Sequence, residues 1–341
     1  MSSKFRKIET NTHHMQNNSS NNLIVDAFVA DPGTRVEGRL PVASLPDGTP
    51  IRVPIVLING KNPGKTLYIQ AISDGNELNG IAVIHKVLSK INTDELNGQI
   101  IAVPVLNIHA FHAKQAYSPV DNLKMNRCFP GRADGTSSYR IAHQLFEKAI
   151  KQADYCIDLH QGGVSPMIDE VRVRVGEKHE LHKECLELAR VFGIGYILDQ
   201  KGPKGQLAQA APEIGIPTID PELGGTHGWD KDSINKGVRG VKNVLKHYKF
   251  LDGDPEIPPQ QIVVNRFESI LSNQAGFVYY KKALYDHITP RDTIAEIRDV
   301  FGHVIETVRA TEEGIFWSHP IYPMVASGGI IGKIGTPVSH I

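Results

Sequence analysis

Cysteine is scarce. The 341 residues hold three, Cys128, Cys156 and Cys185, widely spaced and without a C-x-x-C pair. That excludes a disulfide framework and a thiolate zinc site, and it fits a reducing compartment. No charge sign dominates: 37 Lys and Arg balance 37 Asp and Glu. Without a basic block there is no electrostatic footprint for nucleic acid or for anionic lipid. No run approaches the ~20 apolar residues needed to span a bilayer, and the N-terminus lacks the apolar stretch of a secretory signal. Repeats are absent as well. These absences together predict a cytoplasmic protein with no nucleic-acid or membrane partner.

Enough apolar residues are present, 40% of the chain, for one sizeable core and a smaller second one, since single cores stop growing near about 250–300 residues. Residues 1–22 are polar and rich in Asn and Ser and read as a flexible tail, in which His13 and His14 are tail residues rather than ligands. From about 50 to 250, short apolar runs alternate with helical patterns. TLYIQAI (66–72), QIIAVPVL (99–106), DYCIDLH (154–160) and IPTIDPEL (216–223) read as strands. Residues 79–91, 138–152, 180–193 and 233–249 read as helices, the third ending at Gly193. This alternation predicts an α/β domain over 23–252, with a mostly parallel or mixed sheet flanked by helices. Ligands of such sheets bind beyond the carboxyl ends of the strands. A Pro-rich stretch, DGDPEIPPQQ (252–261), precedes many short β-like segments, so 253–341 reads as a small all-β domain. Residues 40–55 suggest a hairpin turning near Pro46-Asp47-Gly48.

Four motifs carry chemistry. DGNELNG (74–80) follows a strand and opens a helix, so Asp74 and Glu77 can converge on one metal ion; the plain alternative is an acidic helix cap. DLHQGG (158–163) places Asp158 and His160 on one face at a strand end, where His160 is either a ligand or a histidine bonded to Asp158. DPELGG (220–225) leaves Glu222 after an apolar run, placed as a general base or as a cap for the next helix. DNLKMNRCFPG (121–131) is a long loop in which Asn126 and Arg127 offer a planar fork for a carboxylate, unless Arg127 is a surface residue in a turn.

The order of these four motifs resembles that of the succinylglutamate desuccinylase/aspartoacylase family of zinc-carboxypeptidase-like metallohydrolases, over about residues 36–341. The resemblance implies that fold plus a C-terminal barrel-sandwich module similar to a lipoyl domain. It implies one divalent metal ion, zinc first, held by Asp74, Glu77 and His160. It implies Glu222 as general acid/base and Asn126 with Arg127 as the grip on a substrate carboxylate. The expected activity is metal-dependent hydrolysis of the amide bond in an N-acyl amino acid or similar small carboxylate. A binding protein without catalysis and a carboxypeptidase acting on peptides are the alternatives, and a homo-oligomer is compatible with the sequence. Two positions depart from the family pattern. Asp74 stands where the family's His-Gly-x-Glu motif has histidine, which moves the donor set toward manganese or another hard ion. Ala116 stands where relatives often carry an arginine at the oxyanion, leaving Lys114, Gln115 or Arg140 as substitutes, or the metal and backbone donors alone. His109, His112, His227, Tyr117, Tyr279 and Tyr280 are secondary candidates for the pocket.

Overall fold

The computed structural model describes residues 21–341 apart from Val164, Thr226 and His227. The tail and its two histidines, like the candidate His227, therefore lie outside the described residues. No helix among those described is long and apolar enough to cross a membrane.

Among the described residues, ten strands form one sheet. Its middle is the apolar runs read from the sequence. Tyr155–Leu159 lies between Asn62–Ala71 and Thr218–Glu222, and all three run parallel. Asn97–Val103 continues the parallel run beyond Asn62–Ala71. The flanks are mixed. On one side Pro50–Asn59 pairs antiparallel with Asn97–Val103 and with Thr34–Ser44, which is the expected hairpin with longer arms. On the other side Glu170–Val173 pairs antiparallel with Thr218–Glu222 and parallel with Tyr196–Asp199. Ile262–Val264 and Ser339–His340 complete that edge, so two strands from beyond residue 252 join the large sheet.

Helices cover both faces because each carries one apolar stripe. Asn79–Leu88, His182–Phe192 and Lys231–His247 share one core with the sheet, through residues such as Val83, Leu188, Phe192 and Val244. Ser137–Lys148 covers the other face with Ile141, Leu145 and Phe146. The helix ending at Phe192 stops at Gly193, whose φ of 79° is a left-handed conformation that glycine adopts without strain.

Two four-stranded antiparallel sheets make up most of the C-terminal region and share a core of Ile270, Ile288, Ile294, Ile297, Phe316 and Ile334. This β unit is bolted to the large sheet. The Ile168 amide donates to the Trp317 carbonyl (3.0 Å), and the His319 amide to the Pro166 carbonyl (3.1 Å). Ile168, Leu198, Val264, Ile315 and Trp317 form a small apolar cluster across the junction. Trp317 and His319 are thereby held against the strand ends of the α/β domain.

The loop from Ser73 to Leu78 links the Asn62–Ala71 strand to its helix and sits against the backbone of residues 110 and 111. The Gly75 amide donates to the Gln115 carbonyl at 3.0 Å. A β-carbon on Gly75 would collide with the backbone of Ala110 and Phe111, which cannot swing away as a side chain can. Gly75→Ala is therefore expected to displace the loop and cost about 1–3 kcal/mol, the usual range for overpacking. Chemical denaturation checks this, and an unchanged unfolding free energy would show that the loop yields freely.

Candidate metal centre

The three central strands are parallel, so their carboxyl ends open on the same side of the sheet. Each delivers an acid or a histidine there. Thr218–Glu222 ends in Asp220 and Glu222, Tyr155–Leu159 leads into His160, and the segment after Ala71 carries Asp74 and Glu77. His160 and Glu222 face each other across a parallel bridge. Asp74, Glu77 and His160 are all buried, and each offers one donor atom within 4.8 Å of the others. A second group of the same kind is His160 with Asp220 and Glu222.

The acidic-cap alternative for Asp74 and Glu77 fails. The helix begins at Asn79, its N-cap residue is Leu78, and no side chain caps it. The Asn79 amide is instead satisfied by Gln161 Oε1 at 2.9 Å. Glu77 turns toward the strand end, where its Oε2 accepts from the Gln161 amide (3.1 Å) and lies 2.9 Å from His160 Nδ1. The capping alternative for Glu222 fails too, because the next helix is capped by Asp230, which accepts from the Ser233 amide at 2.9 Å.

His160 is the hub. Its Nδ1 faces Glu77, and its Nε2 lies 3.2 Å from Asp158 Oδ2 and 3.7 Å from Asp220 Oδ1. A carboxylate behind a histidine fixes the tautomer and the ring plane, an arrangement common behind metal-binding imidazoles. Burial pulls the His160 pKa down, but Asp158, Asp220 and Glu77 outweigh it and leave it well above its ordinary value. Burial, aided by Asp74, pushes the Glu77 carboxyl up to about 8 although His160 opposes the shift. Both shifts describe a centre with more carboxylates than its local cations balance. Asp74 Oδ1 is buried without a hydrogen-bond partner, while Oδ2 accepts from the Lys124 ammonium at 2.9 Å. An orphaned carboxylate oxygen facing a glutamate and an imidazole is the donor chemistry that a divalent ion satisfies, so these residues fit a metal.

Around this centre lies a cavity of about 340 Å³. Asn126 and Arg127 line it, within a short helical turn Met125–Arg127, where Arg127 Nη1 donates to the Asn126 carbonyl (2.7 Å) and side-chain oxygen (3.0 Å). The β unit closes the other side with Phe267, Trp317, His319, Ile330 and Lys333.

Two arginines were not singled out in the sequence. Arg172 Nη1 pairs with Glu222 Oε1 at 2.6 Å and Nη2 with Glu170 Oε1 at 2.7 Å. Burial acts against its charge, yet Glu170 and Glu222 more than offset that and raise its pKa. Arg174 lines the same wall and donates to Gln206. The signal was there in EVRVRV, whose alternating arginines sit awkwardly in a strand flanked by buried ones. Asp220 was likewise passed over as part of an apolar run.

Other candidates lie elsewhere. His109 pairs with Ser137 Oγ at 3.1 Å, and His112 is exposed against Phe111; neither lines the cavity. Lys114, Gln115 and Arg140 do not line it either, and Arg140 donates to the Gly135 carbonyl. Among the described residues, the cavity cations are Lys124, Arg127, Arg172, Arg174 and Lys333. Tyr117 is exposed and stands 5.5 Å from the Lys124 ammonium, Tyr279 packs on Arg298, and Tyr280 stacks near His319.

Trp317 Nε1 donates to Glu170 Oε2 at 2.7 Å and so steadies the carboxylate that holds Arg172. Trp317→Phe removes that donor while keeping a ring. We expect it to cost about 1.5–3 kcal/mol, as for a buried hydrogen bond to a charged group. Urea titration of the variant beside the parent is the measurement, and equal midpoints with equal slopes would remove Trp317 from the network.

Residues 63–248, more than half of the chain, match the sequence model of the succinylglutamate desuccinylase/aspartoacylase catalytic domain. An N-alpha-acetyl-L-2,4-diaminobutyric acid deacetylase of Halomonas elongata is 26% identical over 300 residues, covering 85% of this chain and 87% of that protein. Among solved structures, an ectoine utilization protein of Ruegeria pomeroyi in its product-bound form superposes with a TM-score of 0.79 at 23% identity, covering 89% of this chain and 95% of that one. A succinylglutamate desuccinylase/aspartoacylase of Rhodobacter sphaeroides gives 0.77 at 23% identity, over 89% and 96% of the two chains. With the family match, the likeness in fold and the strand-end cluster agreeing, the chain belongs to the succinylglutamate desuccinylase/aspartoacylase family.

Proposed function

We propose that this protein is a metal-dependent deacylase that hydrolyses the amide bond of an N-acyl amino acid or similar small carboxylate. The observation that carries this reading is the convergence of Asp74, Glu77 and His160, beside Glu222, on the floor of a small cavity. In it, Asp74, Glu77 and His160 hold one divalent ion, zinc or, given two carboxylates and one imidazole, manganese. When bound, such an ion supplies Lewis acidity for the amide carbonyl and for water.

The chain's own groups do the rest. Glu222 is buried at the strand end, takes the proton of the attacking water and returns it to the leaving amine. Arg172, pinned between Glu170 and Glu222, fixes the orientation of the Glu222 carboxylate. Arg127 presents its guanidinium to the substrate carboxylate, with Asn126 holding the guanidinium in place. Phe267, Trp317 and His319 wall the cavity, and a volume of about 340 Å³ suits an acylated amino acid better than an extended peptide. The diaminobutyrate deacetylase relative makes N-acetyl diamino acids the first compounds to assay.

A second reading, a carboxylate-binding protein without catalysis, draws on the Lys124–Asp74 and Arg172–Glu222 ion pairs, which already neutralise two of the site's acids. Metal content separates the two. Purified parent protein is expected to carry close to one equivalent of divalent metal, and Asp74→Ala to lose most of it. Equal metal in both proteins would exclude Asp74 as a ligand, and no metal in either would favour the binding reading.

Two substitutions test the remaining roles. Glu222→Gln should keep fold and metal and lower kcat at least about 10²-fold, the range that loss of a general base commonly gives. Unaltered turnover would take Glu222 out of the reaction. Arg127→Lys keeps the charge but not the fork, so KM should rise for carboxylate substrates and stay level for an amide lacking that carboxylate. A parallel rise for both compounds would contradict the contact.

A further inference from the structure

Lys124 is the cavity cation in direct contact with one of the three candidate metal donors. It stands immediately before the turn Met125–Arg127 and reaches back across 50 residues of sequence to Asp74. The contact is direct, 2.9 Å from Nζ to Oδ2. The partners differ in exposure. Asp74 is almost wholly buried, with its side chain at 3% exposure, while that of Lys124 retains 28%. Asp74 thus has one oxygen on a cation that reaches solvent and the other, Oδ1, orphaned among the candidate donors.

A buried carboxylate beside another carboxylate is costly without a counter-charge. Asp74 and Glu77 carry up to two negative charges, His160 is neutral when it acts as a ligand, and Lys124 adds one positive charge. With both carboxylates ionised and the imidazole neutral, as in a ligand set, the ammonium offsets half of the donor-set charge. The same charge repels a dication arriving at Oδ1, because like charges a few ångströms apart interact strongly at low effective dielectric.

Resting on the reading that Asp74, Glu77 and His160 bind a divalent ion, we propose that Lys124 is a positioning residue: a built-in counter-ion that holds the Asp74 carboxylate aimed at the centre, and that holds metal affinity below what the three donors alone would give. The centre is then tuned for an ion it can exchange rather than for one locked in place. Lys124 acts through Asp74 and does not touch the reacting atoms.

The test uses the full chain stripped of metal and titrated calorimetrically with Zn²⁺ and separately with Mn²⁺. Three proteins are compared: parent, Lys124→Met and Lys124→Arg. Lys124→Met keeps the length of the stem and removes the charge. It is expected to bind both ions at least about tenfold more tightly, and its metal-free form to melt at a lower temperature than the metal-free parent. Lys124→Arg keeps the charge and should bind within about threefold of the parent. Binding detected only in Lys124→Met would overturn the metal-dependent reading of the parent and, with it, the tuning proposed for Lys124. A lysine with a purely structural role would lower the melting temperature in the Met variant without tightening the ion. Unchanged or weaker binding by Lys124→Met, with the parent binding normally, overturns the proposal and leaves the metal-dependent reading standing. No binding by any of the three overturns both.

Discussion

The structure depends on the concentration of buried carboxylates at one end of three parallel strands. Asp74, Glu77, Asp158, Glu170, Asp220 and Glu222 are all buried there. In a low-dielectric interior such a group would repel itself apart unless positive charge were interleaved with it. The chain interleaves it at fixed places. His160 sits among Glu77, Asp158 and Asp220, Arg172 between Glu170 and Glu222, and Lys124 against Asp74. Even so, Asp74 Oδ1 and Asp220 Oδ1 are buried without hydrogen-bond partners. Both residues line the cavity, and a bound cation would relieve that unmet demand.

Holding those charges requires a rigid frame, and the sheet supplies one. The central strands are hydrogen-bonded on both sides, and their helices pack on both faces. Behind His160, a polar relay of Asp158, Ser73, Gln70 and Tyr68 runs into the sheet, with contacts between 2.8 and 3.3 Å. Fully connected buried networks of this kind fix side-chain orientation more than they add stability. The β unit contributes from the other direction. Trp317 reaches Glu170, and the Tyr285 hydroxyl donates to Asp169 at 3.0 Å, so the far wall of the cavity is tied to the strand that carries Arg172.

The legible part of this arrangement was the part written in local pattern. Apolar runs near 66–72, 99–106, 154–160 and 216–223 located the central strands within a few residues, because strands buried on both faces read as continuous hydrophobic segments. Strand-end motifs marked Asp74, Glu77, His160 and Glu222 for the same reason: a charged residue directly after such a run must lie at the rim. Strands Glu170–Val173 and Tyr196–Asp199 were missed. The first interrupts its apolar pattern with Arg172, whose partners are Glu170 and, 50 residues away, Glu222. Cross-chain pairing is invisible to periodicity, and so were the Arg172 and Lys124 contacts. The mixed edges of the sheet were hidden likewise, since strand direction at an edge follows from tertiary connection rather than from composition.

Lys124 and Asp74 show how far such long-range pairing alters the chemistry read from a motif. Taken alone, an aspartate in place of an imidazole donor suggests a more anionic, harder centre. With an ammonium 2.9 Å away, the net charge presented to an incoming ion is one unit less negative. Ion preference then depends on donor type, since carboxylate oxygen favours hard cations whatever the total charge, whereas affinity depends on the charge sum. In the reading proposed here the two properties belong to different residues, Asp74 for the first and Lys124 for the second. A pocket arranged this way can change how tightly it holds its ion without changing which ion it prefers, and the residue that does so is one whose sequence neighbourhood gives no hint of a metal.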